Sequence, residues 1–320
     1  MNSGGTTSLN DLTQRNGRFI RRSSAFHHWV TVDGSAGPTG EDGFVAEPGR
    51  YHLYVSPACP WAHRTLIFRK LKGLEDIISL SAVGSFINQK GWSFAPEQGV
   101  IPDTVNGAAF LSEIYLKANP GYTGRFTVPV LWDKQRRTIV NNESSEIIRM
   151  FNSAFDNVGA NARDFYPERL RSVIDEFNDF IYPNINDGVY RAGFATTQEA
   201  YLEAASNLFS SLDRIEGDLA ENRYLAGDTI TEADWRLFTT LVRFDSVYYS
   251  HFKCNRKRLI DYPNLWGYTR ELYQIPGVAE TVSIPLIKKH YYADQTMINP
   301  TGIVPIGPDI DFTTPHCRDH

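Results

Sequence analysis

Cysteine is scarce in this chain of 320 residues, which has only Cys59, Cys254 and Cys317. An odd, sparse set makes no disulfide framework and fits a reducing compartment such as the cytosol. Long apolar runs are also missing: none approaches the about 18 residues needed to cross a bilayer, so no membrane association is expected. The opening Met-Asn-Ser-Gly-Gly carries no apolar stretch of the secretory-signal type. Arg15, Arg18, Arg21 and Arg22 hint at a transit address, but Asp11 and the lack of an apolar face argue against one, and a cytoplasmic location is expected. No block of like charge is long. The densest basic stretch, 253–258, reads as a solvated turn, and the net charge of -5 argues against nucleic acid. The eight histidines show no metal-ligand spacing, no glycine-rich phosphate loop is present, and no segment repeats. No metal is expected.

What remains is an ordinary globular balance, 42% hydrophobic and 22% charged, ample for real cores. The length suggests about two domains. Aromatic residues are abundant at 13%, which means large cores, a ring-lined pocket, or both.

Residues 1–48 read as an irregular, polar, glycine-rich extension that lies on the body, anchored through Phe19, Ile20, Phe26, Trp29 and Val30, with its first ten residues mobile. Alternation over 51–55 predicts a strand, broken by Ser56-Pro57-Ala58-Cys59-Pro60. A helix is expected from Trp61 to about Lys72, with Pro60 in its first turn and Gly73 as its stop. A second strand over 77–83 completes a βαβ unit with parallel strands. Segment 84–107 is Gly/Pro-rich and too long for a normal connection, which marks it as functional or disordered; Trp92 and Phe94 argue against disorder. A short helix near 109–118, strands at 128–132 and 138–140, and a helix over 145–151 capped by Asn141 to Ser144 follow. This element order defines a thioredoxin-like domain over 49–155. From 164 to 294 the periodicity is helical, with helices expected over 166–182, 197–219, 263–273 and 276–281. A capping-box start lies at Thr231 to Asp234. A Pro/Gly-rich tail fills 295–320. The predicted fold class is therefore α/β followed by all-α.

Cys59 is the sharpest chemical signal. A cysteine between a strand and a helix N-terminus sees unpaired N–H donors and the positive helix end, both of which favour thiolate. Three residues on stands Ala62, so the turn holds no resolving thiol. That disfavours a dithiol reductase and favours a monothiol cycle that borrows an outside thiol such as glutathione. Val128-Pro129 is the second signal, because a cis proline opening the third strand of this fold leaves the preceding backbone groups free for a peptide ligand; an ordinary strand-opening proline is the alternative. Glu143-Ser144 at a helix N-terminus suits a γ-glutamyl end, which carries a carboxylate and an ammonium, although plain capping would need the same residues. Trp92 would wall a pocket and Arg125 would hold a carboxylate; packing and surface charge are their plainer roles. Tyr182, Tyr190 and the Lys-Lys-His-Tyr-Tyr run at 288–292 offer phenolic donors to an aromatic substrate. His63 reads as a helix-face residue rather than a base.

Taken together, Cys59-Pro-Trp-Ala-His-Arg64, Gly91-Trp92, Thr127 to Asp133, Asn142-Glu143-Ser144-Ser145, His290-Tyr291-Tyr292, Asn299-Pro300, Ile303-Val304-Pro305 and Gly307-Pro308 resemble the glutathionyl-hydroquinone reductases, the xi class of glutathione transferases. The likeness spans roughly residues 19 to 310. It implies a thioredoxin-like domain, a helical glutathione-transferase C-terminal domain and a homodimer. It implies glutathione as co-substrate, with Cys59 attacking the thioether sulfur of a glutathionyl-hydroquinone to give a Cys59–glutathione mixed disulfide. A second glutathione then releases the oxidised dimer, GSSG. By motif, Trp92, Arg125, Val128, Glu143 and Ser144 would hold glutathione. Tyr190 and Tyr291 would meet the ring, with Tyr292 competing with Tyr291. Two alternatives stay open: an omega-like thioltransferase or dehydroascorbate reductase using the same Cys59, and a ligand-binding protein without catalysis.

Overall fold

The computed structural model describes residues 16–38, 42–88 and 90–318. The first ten residues, expected to be mobile, lie outside these. The described residues form two compact units. Ser23–Asp164 and Glu280–Leu286 make the first. The described residues up to Arg22, with Phe165–Ala279 and 287–318, make the second.

The first unit is built on a four-stranded sheet. Strands β1 (Trp29–Thr31) and β2 (Gly43–Val45) form a small parallel pair of their own, so the extension expected to be irregular carries regular structure here, where the backbone of Trp29 to Thr31 finds partners in Gly43 to Val45. The main sheet contains β3 (Tyr51–Val55), β4 (Ser79–Ala82), β7 (Val130–Asp133) and β8 (Thr138–Asn141) in the order β4-β3-β7-β8. β3 pairs parallel with β4 and antiparallel with β7, which pairs antiparallel with β8. A parallel pair needs a crossover, and helix α1 (Pro60–Leu71) supplies it. All five residues of β3 are buried, since this inner strand is covered on both faces.

Local chemistry sets the ends of α1. Cys59 is its N-cap in extended conformation, and Pro60 takes the first helical position, where a missing N–H costs nothing. Gly73, at φ +65°, ends it. Its N–H reaches Lys70 O at 3.1 Å and the Leu74 N–H reaches Arg69 O at 2.9 Å, the paired closure that needs a left-handed residue. Helix α2 (Leu111–Ala118) follows the long segment, and α3 (Ser144–Ser153) packs beside α1.

Segment 84–107 is not structureless. Ile87–Asn88 (β5) and Gly91–Trp92 (β6) form a short antiparallel hairpin, and bridges Ala82–Ile101 and Ser93–Phe110 tie the rest down.

The second unit is helical: α4 (Arg171–Ile181), α5 (Gly188–Gly193), α6 (Gln198–Glu221), α7 (Glu232–Leu241) and α8 (Pro263–Gln274). A ninth described helix, α9, covers Ile284–Lys289. Contacts run between α5 and α6, α6 and α8, and α4 and α7. Thr197 caps α6 by accepting the Ala200 N–H at 3.3 Å, and Thr231 and Asp234 form the expected capping box of α7. Two expectations need correction. The helix expected over 166–182 begins only at Arg171, because Pro167 is extended and disfavours helical geometry before it; a 3-10 turn at Glu168–Leu170 fills the gap. The helix expected over 276–281 is a single 3-10 turn, Ala279–Thr281, since Gly277 at φ +91° breaks any longer run. Sequence periodicity also gave no sign of the π-turns at Tyr182–Asn186, Phe244–Tyr248 and His290–Asp294, whose wider spacing breaks the 3.6 period.

Among the described residues no helix is long and apolar enough to cross a membrane.

Candidate active site

Cys59 stands at the junction of β3 and α1. Its carbonyl accepts the His63 N–H at 3.0 Å, which starts the helix. The residue is 9% exposed, and Sγ lies 3.8 Å from the Val128 carbonyl oxygen. The other thiols differ in kind. Cys254 is fully buried and its pKa is pushed far up by burial, which disfavours its thiolate; Cys317 is exposed.

Val128 is buried, two residues ahead of β7, and the Val128-Pro129 bond is cis. The turn after β3 and the approach to β7 thus converge on one thiol. Nearby in sequence, Arg125 is exposed, and its carbonyl accepts the Tyr122 hydroxyl at 3.0 Å. Trp92 is buried in the β5–β6 hairpin. A Cβ placed on Gly91 would sit 3.5 Å from Phe126, so this hairpin and the segment that leads to Val128 are neighbours.

Glu143 is the N-cap of α3. Its Oε1 accepts the Ser145 N–H at 3.2 Å and the Ser145 hydroxyl at 3.1 Å; its Oε2 accepts the Ser24 hydroxyl at 2.9 Å. Burial raises the pKa of this carboxyl, but the Ser145 and Ser24 hydrogen bonds and the Arg64 charge outweigh it and hold the group below the usual range. Ser144 is buried, and Arg64, on α1, points a guanidinium nitrogen to within 3.4 Å of its hydroxyl. Arg64 therefore links the Cys59 helix to the Glu143 helix. His63 is buried and its Nε2 lies 2.8 Å from the Thr281 hydroxyl.

The second unit gathers the phenols. The Tyr190 and Tyr291 hydroxyls are 2.5 Å apart, and Tyr248 stands 3.1 Å from Tyr291. Tyr291 is 1% exposed and burial drives its pKa well up, so it stays a neutral donor, whereas Tyr190 is only half-buried. Arg21 lies 4.9 Å from the Tyr190 ring centroid and is ion-paired with Asp187. Tyr292 belongs to a different set: its hydroxyl meets Ser250 and the Ser246 carbonyl. Tyr182 is exposed.

Sequence reasoning missed Ser24, Arg64, Tyr248 and Arg21 as members of these clusters. Arg64 alone carried a usable signal, as part of the run after Cys59 on the buried side of α1. The others reach their partners across long sequence separations with no periodic pattern.

Two family models match the chain: the glutathione S-transferase N-terminal domain over residues 58–154 and the glutathione S-transferase C-terminal domain over residues 198–271. The chain is 56% identical to the glutathionyl-hydroquinone reductase YqjG of Escherichia coli, over 97% of this chain and 94% of that protein. The glutathione-bound structure of YqjG superposes with a TM-score of 0.91, covering 92% of this chain and 96% of that one. The glutathionyl-hydroquinone reductase PcpF of Sphingobium chlorophenolicum is 51% identical over 93% of this chain and 92% of its own. The Xi glutathione S-transferase of Phanerochaete chrysosporium superposes with a TM-score of 0.88 at 50% identity, covering 95% and 96% of the two chains. With a thioredoxin-like sheet, a helical second unit and a cysteine at the β3–α1 turn, the chain belongs to the glutathionyl-hydroquinone reductases, the Xi class of the glutathione transferases.

Proposed function

We propose that this protein reduces glutathionyl-hydroquinones to hydroquinones at the expense of glutathione. The observation that carries this reading is Cys59 as the N-cap of α1, beside Val128, in a chain 56% identical to a protein of that name. The Cys59 thiolate attacks the sulfur that joins glutathione to the ring. The ring carbon–sulfur bond breaks, its electron pair stays with the ring carbon, and that carbon takes a proton. Hydroquinone leaves, and glutathione remains on Cys59 as a mixed disulfide. A second glutathione thiolate attacks the glutathione sulfur of that disulfide, releasing GSSG and restoring the Cys59 thiolate. The net change consumes one glutathionyl-hydroquinone and one glutathione and yields one hydroquinone and one GSSG. Ala62 leaves no thiol within the turn to compete with that second glutathione.

Within this reading Val128 offers its backbone to the cysteinyl part of glutathione. Glu143 takes the γ-glutamyl ammonium, Ser144 and the α3 N-terminus its carboxylate, and Arg125 the glycyl carboxylate. Trp92 supplies an apolar wall. Tyr190 and Tyr291 are assigned to the quinol, with their paired hydroxyls as the source of the proton and of a donor to the ring oxygen. A homodimer and a cytoplasmic location complete the proposal.

Intact mass after mixing with glutathionyl-menadiol tests the core of it. A single added glutathione on the parent chain and none on Cys59→Ser is the expected result. Full turnover by Cys59→Ser would overturn the mechanism. Turnover of hydroxyethyl disulfide faster than of glutathionyl-menadiol would move the protein to the omega-like reading. Light scattering in solution reads the dimer.

A further inference from the structure

A short stretch ahead of the main sheet lies along the approach to α3. His27 bridges Asn141 in antiparallel fashion, the His28 N–H reaches Val140 O at 3.1 Å, and the Asn142 N–H reaches Phe26 O at 3.2 Å. The Asn142 side chain returns the hold, accepting from the Ala25 N–H at 3.2 Å and the Phe26 N–H at 3.0 Å. The Phe26 ring adds apolar contact with Tyr115 and Tyr122, at centroid distances of 5.8 and 5.7 Å. Residues 24–28 are thus laid down as an extra edge beyond β8.

From this edge two side chains reach the carboxylates in the first turn of α3. Ser24 donates to Glu143 Oε2 at 2.9 Å, while Ser145 holds Oε1, so each oxygen of Glu143 has its own donor. His27 places Nδ1 3.0 Å from both oxygens of Glu146 and Nε2 3.1 Å from the Ser24 carbonyl oxygen. All three of those atoms are acceptors. Only the doubly protonated imidazolium satisfies both ring nitrogens at once. The charged ring therefore ties Ser24 to the helix. Asn141 closes a second path, donating to Glu146 Oε2 at 2.6 Å and accepting the Glu143 N–H at 2.7 Å.

We propose that Ser24 and His27 are positioning residues for glutathione: the 24–28 segment is a clip that fixes the Glu143 carboxylate in the orientation that receives the γ-glutamyl ammonium. The proposal rests on the assignment of Glu143 to that ammonium made above. The clip acts through Glu143, and nothing in it needs to touch the substrate. A carboxylate with both oxygens pinned binds a cation without first losing side-chain rotamer freedom.

The clip is pH-dependent with a defined sign. His27 is faced by Glu146 and Glu143 on α3; Glu143 is faced in turn by Arg64 on α1; and the Tyr115 hydroxyl of α2 meets Asn142 at 3.0 Å. Burial lowers the His27 pKa, but the Glu146 and Ser24 contacts outweigh it, and the net shift is upward from 6.5. A raised histidine pKa means that the hold is complete below about 6.5 and is lost as the pH rises through the folded value.

Calorimetric binding of S-methylglutathione, which has no thiol to exchange with Cys59, tests the clip on the full chain. Ser24→Ala is expected to weaken binding about 5-fold, the worth of one hydrogen bond, and Ser24→Thr to restore most of it. In turnover the KM for glutathione rises with kcat unchanged. The parent is expected to bind more weakly at about pH 8 than at about pH 6, and His27→Gln to remove that difference. Glu143→Gln separates the two layers. If it leaves binding unchanged, the assignment of Glu143 is wrong and the clip with it. If it weakens binding while Ser24→Ala binds like the parent, the clip alone is overturned. A pH profile of His27→Gln that matches the parent overturns the role of His27.

Discussion

Replacing Glu143 by Gln gives the most direct test of the proposed assignment of Glu143 to glutathione. The substitution keeps size and hydrogen-bonding reach but removes the charge. In the structure the carboxyl pKa is held down, with burial opposed and outweighed by donors from Ser145 and Ser24 and by the Arg64 charge. The sign follows: a depressed carboxyl pKa means that the charged form and its interactions are present above the ordinary carboxylate pKa and are lost as pH falls through the folded value. At neutral pH the carboxylate is therefore fully ionised. A hydrogen bond between two charged groups is worth about 1.5–3 kcal/mol, and every 1.4 kcal/mol is about tenfold in affinity. Glu143 is partly open to solvent, so the lower half of that range applies, and Glu143→Gln is expected to raise the Kd for S-methylglutathione by about 10-fold to 40-fold. The assay is titration calorimetry at neutral pH, repeated in raised salt, where the difference between parent and variant shrinks. A parent-like Kd would refute the assignment. A loss that salt does not touch would refute its electrostatic basis.

Other expectations concern the second unit and the frame. Tyr291→Phe removes the hydroxyl that lies 2.5 Å from Tyr190 and is expected to lower kcat on glutathionyl-menadiol about 10-fold, whereas Tyr292→Phe, outside that pair, leaves kcat within about 2-fold; equal losses would refute the choice between them. Gly73→Ala forces a side chain into the left-handed region and is expected to cost about 1 kcal/mol, seen as a lower urea midpoint; an unchanged midpoint refutes the closure argument for α1. Burial holds the His52 and His251 pKa values at about 4. A depressed histidine pKa makes the neutral form part of the fold, so stability present above about 6.5 is lost as pH falls towards 4, by at most about 1.36 kcal/mol per pH unit for each ring. A melting temperature that does not fall across that window, or a His52→Gln variant with the parent's pH dependence, would contradict it.

The local part of the site was legible in the chain because its causes are local. A proline in the first turn, a glycine at the stop and a cysteine between strand and helix specify α1 and put Cys59 at its N-cap whatever lies elsewhere. The same holds for the Thr231 capping box and for the Glu143 cap of α3. Sequence patterns gave way where a turn departs from the 3.6 period: the π-turns carry Tyr248 and Tyr291, and Pro167 delays a helix that hydrophobic spacing alone would have begun earlier.

Between adjacent tyrosines, sequence has no means of choosing. Tyr291 and Tyr292 are the same residue type one position apart, and the turn sends one hydroxyl to Tyr190 and the other to Ser250. Ser24 is the clearer case. Nothing in a polar, glycine-rich extension marks one serine as the partner of a glutamate 119 positions away, because that hydrogen bond exists only once the edge beyond β8 has formed. What the sequence determined by itself is the thiol, its helix and the monothiol character that Ala62 imposes, all consequences of backbone conformation within a few residues. What only the tertiary structure decided is which distant hydroxyls and charges surround Glu143 and Tyr291, since those contacts depend on how the chain returns to itself rather than on any local preference.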